Sequence, residues 1–275
     1  YSMKETLVRS LSGLIYVSLL LVSLCFEQAL IVLFFVFGLI CMAEFKKLIQ
    51  LKSHIPYFIF IILYAVFGYW QTVLNTNTGL NEATQILMVL SIFVVLFLIK
   101  DLFSRKSIPL FSTKRFLLTT FYLSSAFVFL ILIANYYEDY NPNILLGVFI
   151  LVWVNDSFAY LVGKNFGKQK LFEIISPKKT VEGFLGGLFF SCVASYFIAT
   201  FTETLDFTSW LILSIIISVF GTLGDLIESK FKRQAKVKDS GIIMPGHGGL
   251  LDRLDSIIFA APFIYLFLRI LNYVS

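Results

Sequence analysis

Long apolar stretches are the feature of this sequence that most limits the folds it can adopt. A helix needs about 20 apolar residues to cross the hydrocarbon core of a bilayer, and the sequence contains nine such stretches. In chain order they cover residues 9–26, 28–45, 55–74, 82–103, 115–135, 142–163, 181–202, 207–227 and 254–273. Charged residues make up only 14% of the chain, whereas soluble domains carry about 25%. The sequence therefore predicts an all-α, polytopic transmembrane protein with about nine spans.

The basic residues predict which side of the membrane each loop faces. If the N-terminus is cytosolic, every one of the 22 Lys and Arg residues except Arg269 lies on the cytosolic side, and the external loops carry acids and no base. Because Lys and Arg concentrate in cytoplasmic loops, this pattern predicts a cytosolic N-terminus and an external C-terminus. The formal net charge of +5 is then explained largely by the basic residues of the cytosolic segments, and it does not indicate nucleic-acid binding.

The predicted cytosolic segments are unequal in length and composition. Segments 164–180 and 228–253 are long and dense in charge and glycine, whereas the external loops are short. We therefore expect any chemistry at the cytosolic face of the C-terminal half. The sequence predicts N-terminal transmembrane helices over residues 1–140 and a catalytic transmembrane domain over residues 141–275.

Acidic residues lie at the cytosolic ends of the last two predicted helices. Asp225, Glu228 and Ser229 share a helix face because positions three and four apart align. Asp252 and Asp255 share a face by the same spacing, although a helix N-terminus favours acids for electrostatic reasons alone. Magnesium prefers hard oxygen ligands such as carboxylates and phosphates, and Asp225 and Asp252 can supply such carboxylates from two helix ends.

The segment "ISPKKTVEGFLGG" favours a phosphate site. Ser176 suits a helix N-cap and Pro177 suits the first turn, so Lys178 and Lys179 are predicted to lie in that turn. Basic side chains beside the positive end of the helix dipole destabilise the helix unless a nearby anion offsets their charge. Backbone N–H groups at a helix start also bind phosphate. The alternative interpretation is a cytosolic loop selected only for its positive charge.

Two further segments carry candidate residues. In "VNDSFAYLVGKNFGKQK", Asp156 indicates a polar cavity or a helix-packing hydrogen bond, and Lys164 belongs to a basic glycine loop. In "PGHGG", glycines let the backbone approach a ligand closely, and His247 contacts a ligand or packs within the loop.

The stretch "SKFKRQAKVKDSGIIMPGHGGLLDRLD", from Ser229 to Asp255, resembles the signature of the phosphatidate cytidylyltransferases, or CDP-diacylglycerol synthases. The family pattern has Ser, two residues, Lys-Arg, four residues, Lys-Asp, then Pro-x-His-Gly-Gly and Asp-Arg-x-Asp. The sequence matches throughout, with Met244 where the family usually has Leu, Ile or Phe. The blocks "NDSFAYLVGKNFG" and "ISPKKTVEG" also resemble the family, so the resemblance covers about 130 residues of the C-terminal half.

The resemblance implies that CTP and phosphatidate react to give CDP-diacylglycerol and pyrophosphate, with Mg²⁺ as the metal and a second metal ion left open. It implies Asp225 and Asp252 as metal ligands that also take part in catalysis. The other predicted catalytic residues are Asp255, Lys238, Arg253 and His247. The predicted substrate-binding residues are Asp156, Lys164, Lys178, Lys179, Ser229, Lys232, Arg233, Gly248 and Gly249.

The expected partners are the two substrates and membrane lipids, with no nucleic acid, and the protein is expected to form a homodimer. We expect it in a bacterial cytoplasmic membrane with the active site facing the cytosol. Two other functions remain open. A CTP-dependent polyprenol or lipid kinase would transfer the γ-phosphate and release CDP. An anion transporter would need a polar path through the membrane, yet the outer halves of the predicted helices are almost purely apolar.

Overall fold

The computed structural model describes residues 3–70, 80–104, 106–137, 140–246 and 248–274. Almost all of its regular structure is helical, interrupted by one short hairpin. The helices are α1 (Met3–Leu24), α2 (Glu27–Leu48), α3 (Ile55–Leu63), α4 (Leu80–Phe103), α5 (Ser112–Leu117), α6 (Ser125–Ala134), α7 (Asn143–Phe166), α8 (Val181–Thr202), α9 (Phe207–Gln234) and α10 (Leu251–Val274). The π-helical segments Tyr64–Trp70 and Leu118–Ser124 continue α3 and join α5 to α6. The strands are β1 (Lys170–Phe172) and β2 (Ser176–Thr180).

The predicted helical, polytopic architecture is confirmed. Among the described residues, seven helices are long and apolar enough to cross a membrane, and the apolar helices Ser10–Leu24 and Ile55–Tyr69 are shorter. The predicted stretch 55–74 extends into residues 71–79, which lie outside the described residues. The protein is therefore an integral membrane protein by helix length and composition, and the count of nine spans stays a prediction.

The chain forms two compact units. The first contains the chain up to Leu132 together with Phe231–Leu254. Aromatic side chains fill its core: the Phe45 ring contacts Tyr122 at 5.5 Å and Phe231 at 5.4 Å between centroids. Phe45 and Phe231 are each 1% exposed. These contacts fix the C-terminal end of α9 against α2, and so position the loop that follows α9.

The second unit contains Ile133–Lys230 and the chain from Asp255 onward. Its helices approach closely at glycines: a Cβ at Gly187 of α8 would lie 2.7 Å from the Asn155 carbonyl oxygen of α7. At Gly224 of α9 a Cβ would lie 2.5 Å from the Cβ of Phe259 on α10. Small residues let membrane helices pack at short range, and the second contact brings α9 and α10 together beside the acidic residues.

The predicted helix start at Ser176 and Pro177 is wrong. Residues 176–180 form β2, which pairs antiparallel with β1 in the register Lys170↔Thr180 and Phe172↔Ser176. Helix α8 begins later, and its N-cap is Thr180, whose side chain accepts a hydrogen bond from the Gly183 N–H. Thr is a favourable N-cap as well, and the pairing of residues 176–180 with β1 leaves the helix to begin there. Lys178 and Lys179 therefore lie in a strand and not in the first turn of a helix.

Candidate active site

Three carboxylates from two helices meet in the second unit. Asp225 and Glu228 lie three residues apart on α9, and Asp255 lies in the first turns of α10. One oxygen from each residue lies within 4.8 Å of the others. Glu228 is 1% exposed and Asp255 is 7% exposed. The glycine contact at Gly224 explains the convergence, because a Cβ there would also lie 2.8 Å from the Asp255 carbonyl oxygen.

A basic and a hydroxyl side chain contact Asp225. Lys179, at the end of β2, forms an ion pair with the Asp225 carboxylate. Ser229, one turn further along α9, donates a hydrogen bond to Asp225 Oδ1 at 3.3 Å. Lys178 is exposed, whereas Lys179 is partly buried, as expected where successive strand residues point to opposite faces. The hairpin therefore brings one of the two predicted lysines to the acidic cluster.

The carboxylate of Asp252 lies in a hydrogen-bonded network of the first unit. Its Oδ1 accepts a 2.6 Å ion-pair hydrogen bond from Lys232 Nζ. Its Oδ2 accepts bonds from the backbone N–H of Ser240 at 2.9 Å, from the Ser240 hydroxyl at 2.9 Å and from the Gly249 N–H at 2.7 Å. The side chain is only 6% exposed. Asp252 therefore fixes both ends of the segment 240–249, and it is itself held in place by Lys232.

Glu44 of α2 enters the same network and is the main residue that the sequence analysis missed. It is 3% exposed, and its carboxylate accepts backbone hydrogen bonds from Leu250 at 3.2 Å and Leu251 at 2.8 Å. These partners are more than 200 positions away in the chain. A single acid near the end of an apolar helix, beside Lys46 and Lys47, gives no sequence signal for such a contact.

The other predicted site residues lie as follows. Gly248 has a left-handed φ of 89°, and its N–H and carbonyl pair with Met244 at 3.1 and 2.9 Å, which closes a tight turn. Lys238 and Arg253 are exposed, and Arg233 donates a hydrogen bond to the Val237 carbonyl at 3.4 Å. Asp156 is exposed beside the buried Asn155, and Lys164 lies over the Tyr160 ring at 5.8 Å. His247 lies outside the described residues.

The structure therefore gathers Asp225 with Asp255 and adds Glu228, which the sequence analysis placed on the same helix face but did not include in the site. It also joins Lys232, Asp252 and Gly249 in one network. That Asp225 and Asp252 serve one ion site stays a prediction.

Comparison with known proteins gives this geometry a context. A sequence profile described as the cytidylyltransferase family matches residues 7–271. The phosphatidate cytidylyltransferase of Bacillus subtilis (strain 168) is 36% identical over 245 residues, which cover 88% of this chain and 89% of that protein. The protein of the same name from Staphylococcus aureus (strain COL) is 44% identical over 156 residues, or 55% of this chain and 57% of that protein. Because the profile spans nearly the whole sequence, the chain belongs to the cytidylyltransferase family.

Proposed function

We propose that this chain is a phosphatidate cytidylyltransferase. A phosphate oxygen of phosphatidate attacks the α-phosphorus of CTP and forms a new P–O bond. The bond between the α-phosphorus and the oxygen bridging to the β-phosphate breaks, so CDP-diacylglycerol forms and pyrophosphate leaves. Family membership and the names of the relatives support this activity. The structural observation that supports a location for this activity is the cluster of Asp225, Glu228 and Asp255, with Lys179 beside it.

This reaction asks little covalent chemistry of the protein. Both substrates carry negative phosphates, so the protein must hold them together and offset their charge. Buried carboxylates alone would repel such substrates, which is why their clustering favours a cation between protein and phosphate. Lys179 contacts the cluster through Asp225, and it can contact a phosphate group when a cation takes its place at Asp225.

The donor set of the cluster fits a divalent cation. Carboxylate oxygens are the hard ligands that magnesium prefers, and ligands about 2.1 Å from one ion lie within about 4.2 Å of each other. The oxygens of Asp225, Glu228 and Asp255 already lie within 4.8 Å, so small side-chain movements suffice. We propose Mg²⁺ here, where a bound ion would offset the charge of the phosphates and of the leaving pyrophosphate.

Asp252 remains a proposed catalytic carboxylate and metal ligand. Its Oδ1 accepts a bond from Lys232, and a carboxylate oxygen can accept a second interaction. The ion pair also keeps Lys232 beside the glycine-rich segment, where an ammonium group can contact a substrate phosphate. The remaining proposed phosphate-contacting or loop-shaping residues are Lys164, Lys178, Arg233, Lys238, His247, Gly248, Gly249 and Arg253. Asp156 and Ser229 are proposed as polar supports of the substrate site.

We also propose nine spans, a cytosolic N-terminus and an active site at the cytosolic face of a bacterial cytoplasmic membrane. The distribution of Lys and Arg supports this orientation, and the bacterial relatives support the location. A catalytic C-terminal region over residues 141–275 and a homodimeric assembly belong to the same proposal, and cross-linking in native membranes tests the dimer.

The assay uses purified protein in phosphatidate-containing micelles with CTP labelled at either the α- or the γ-phosphate. Cytidylyl transfer places the α-label in the lipid phase and releases the γ-label as pyrophosphate. Transfer of the γ-label to lipid, with release of CDP, would instead identify a kinase and contradict the proposal. Chelation of magnesium is expected to stop turnover, and a titration of the ion reports its number of sites.

The first prediction concerns the acidic cluster. Asp225→Asn and Glu228→Gln are each expected to lower turnover by more than about 100-fold. Mutation of a residue that only supports a metal ligand typically lowers activity by about 10- to 100-fold, so a larger loss indicates a ligand. The magnesium concentration for half-maximal rate should rise in any variant that retains measurable activity. Glu203→Gln, at the exposed C-terminal cap of α8, makes the same chemical change and serves as the control. Wild-type magnesium dependence in both site variants would remove the metal assignment.

A further inference from the structure

A buried acid far away in sequence holds the glycine-rich segment that follows α9. The carboxylate of Glu44 accepts hydrogen bonds from the backbone N–H of Leu251, the first residue of α10, and from that of Leu250, which directly precedes it. The first N–H groups of a helix have no partner within the helix, and a negative side chain near them is favourable. Glu44 therefore acts as an N-terminal cap supplied by another helix, and it fixes where α10 begins.

Two glycines of the segment lie directly against this carboxylate. A Cβ at Gly241 would lie 2.2 Å from Glu44 Oε1, and a Cβ at Gly249 would lie 2.6 Å from Glu44 Oε2. Side chains do not approach each other so closely without displacement. The backbone of the segment is thus wrapped around the Glu44 carboxylate on two sides, and the absence of a side chain at both positions makes this possible.

Ser240 links Glu44 to Asp252. Its hydroxyl oxygen lies 3.3 Å from Glu44 Oε2 and 2.9 Å from Asp252 Oδ2. A hydroxyl carries a single proton and donates to one acceptor at a time. The shorter contact favours donation to Asp252, and the Glu44 carboxylate lies on the other side of the hydroxyl oxygen. A displacement of Glu44 would therefore alter the position of the Asp252 carboxylate, both through Ser240 and through the backbone of residues 249–251.

We propose that Glu44 is a positioning residue: it holds the segment 240–251 and, through it, the carboxylate of Asp252 in the geometry needed for catalysis. This inference rests on the proposed function for its catalytic part. The structural part of the inference, that Glu44 restrains residues 240–251, depends only on the hydrogen bonds and glycine contacts of Glu44. Nothing in the family signature points to Glu44, because the signature lies wholly within residues 229–255.

The test compares Glu44→Gln with Glu27→Gln in the full-length protein in lipid nanodiscs. Glu27 is the first residue of the same helix, so the control changes the same chemical group at the opposite end. Hydrogen exchange is measured on peptides covering 238–251. In Glu44→Gln their exchange is expected to accelerate about tenfold or more, which corresponds to local opening made easier by about 1.4 kcal/mol. Exchange in the rest of the chain, and in Glu27→Gln, should stay at the wild-type rate.

Kinetics supply the second readout. For Glu44→Gln the CTP concentration at half-maximal rate is expected to rise and kcat to fall, together about 10- to 100-fold in kcat/KM, as for other partners that orient functional carboxylates. A purely structural role would lower the amount of active enzyme and leave KM unchanged. Ser240→Ala removes only the bridging hydroxyl, and it should show the same changes at smaller size.

Unchanged exchange over 238–251 in Glu44→Gln would overturn the proposal, and so would a fall in rate at constant KM. Failure of the proposed function gives a different result, since the wild-type protein would then show no cytidylyl transfer while the exchange measurement still reports on Glu44.

Discussion

Lys232 neutralises a carboxylate that is almost removed from solvent. The side chains of Lys232 and Asp252 are 12% and 6% exposed, and their ion pair is 2.6 Å long. Removing one partner of such a pair leaves the other charge buried without its counter-charge, which typically costs about 3–5 kcal/mol. The backbone bonds to Asp252 Oδ2 offset part of this cost.

Lys232→Met is therefore expected to lower the free energy of unfolding by about 3 kcal/mol, the lower end of that range, and to reduce cytidylyl transfer strongly. Unfolding in mixed micelles and the labelled-CTP assay measure the two effects. Lys236→Met, an exposed base four residues further along, is the matched control. If both variants unfold at the same denaturant concentration, the Lys232 ion pair contributes no more than a surface pair.

At this scale the sequence revealed the residues whose partners are near in the chain. Asp225 and Ser229 are four residues apart and do contact each other. Glu228 was on the predicted face, but only the packing of α9 against α10 shows that it meets Asp255. Glu44 could not be found, because its contacts depend on the tertiary position of α2 and no local pattern encodes that position.

At the scale of elements, the β1–β2 hairpin separates two neighbouring lysines. Helix geometry would have put Lys178 and Lys179 on one turn, whereas the strand points them to opposite faces. Lys179 pairs with Asp225, and Lys178 is exposed. The two positions therefore differ in contacts and exposure although they are adjacent in sequence.

Lys179→Gln is expected to lower turnover about fivefold more than Lys178→Gln, because Lys179 lies beside the acidic cluster, where it can pair with a substrate phosphate, and a partly exposed charge pair contributes up to about 1 kcal/mol. The two variants have the same net charge and the same chemical change, so each is the matched comparison for the other. Initial rates at subsaturating CTP measure the difference. An equal loss in both would show that the bases act only through the overall positive charge of the hairpin.

The helices were easier to predict than the hairpin. Each predicted apolar stretch coincides largely with a helical run among the described residues, because long apolar runs leave no other way to satisfy the backbone in lipid. The hairpin has three- and five-residue strands and no run of alternating polarity. Its stability comes from cross-strand pairing and from Glu182, which accepts hydrogen bonds from the N–H groups of Lys168 and Gln169. Those are contacts between positions 13 and 14 residues apart, beyond the reach of local propensity.

At the scale of the whole molecule, the arrangement of charge predicts a sidedness that labelling can measure. Cys25 is exposed in the turn between α1 and α2, on the side predicted to be external. In intact cells a membrane-impermeant maleimide is expected to label Cys25, and Cys25→Ser gives the blank. In that blank background, Lys236→Cys should react only after the membrane is permeabilised. Labelling of Lys236→Cys in intact cells would reverse the proposed orientation.

The contact between Glu44 and the start of α10 bears on how such a protein could be divided. All the residues of the family signature lie between positions 229 and 255. That stretch and its flanking helices could therefore be taken for a unit that can be transferred to another protein. Yet the carboxylate around which its backbone is wrapped belongs to the second helix of the chain. A fragment beginning after that helix would carry every signature residue while lacking the side chain that anchors them. Grafts, truncations and chimaeras of this protein should therefore keep α2 and the signature from the same parent.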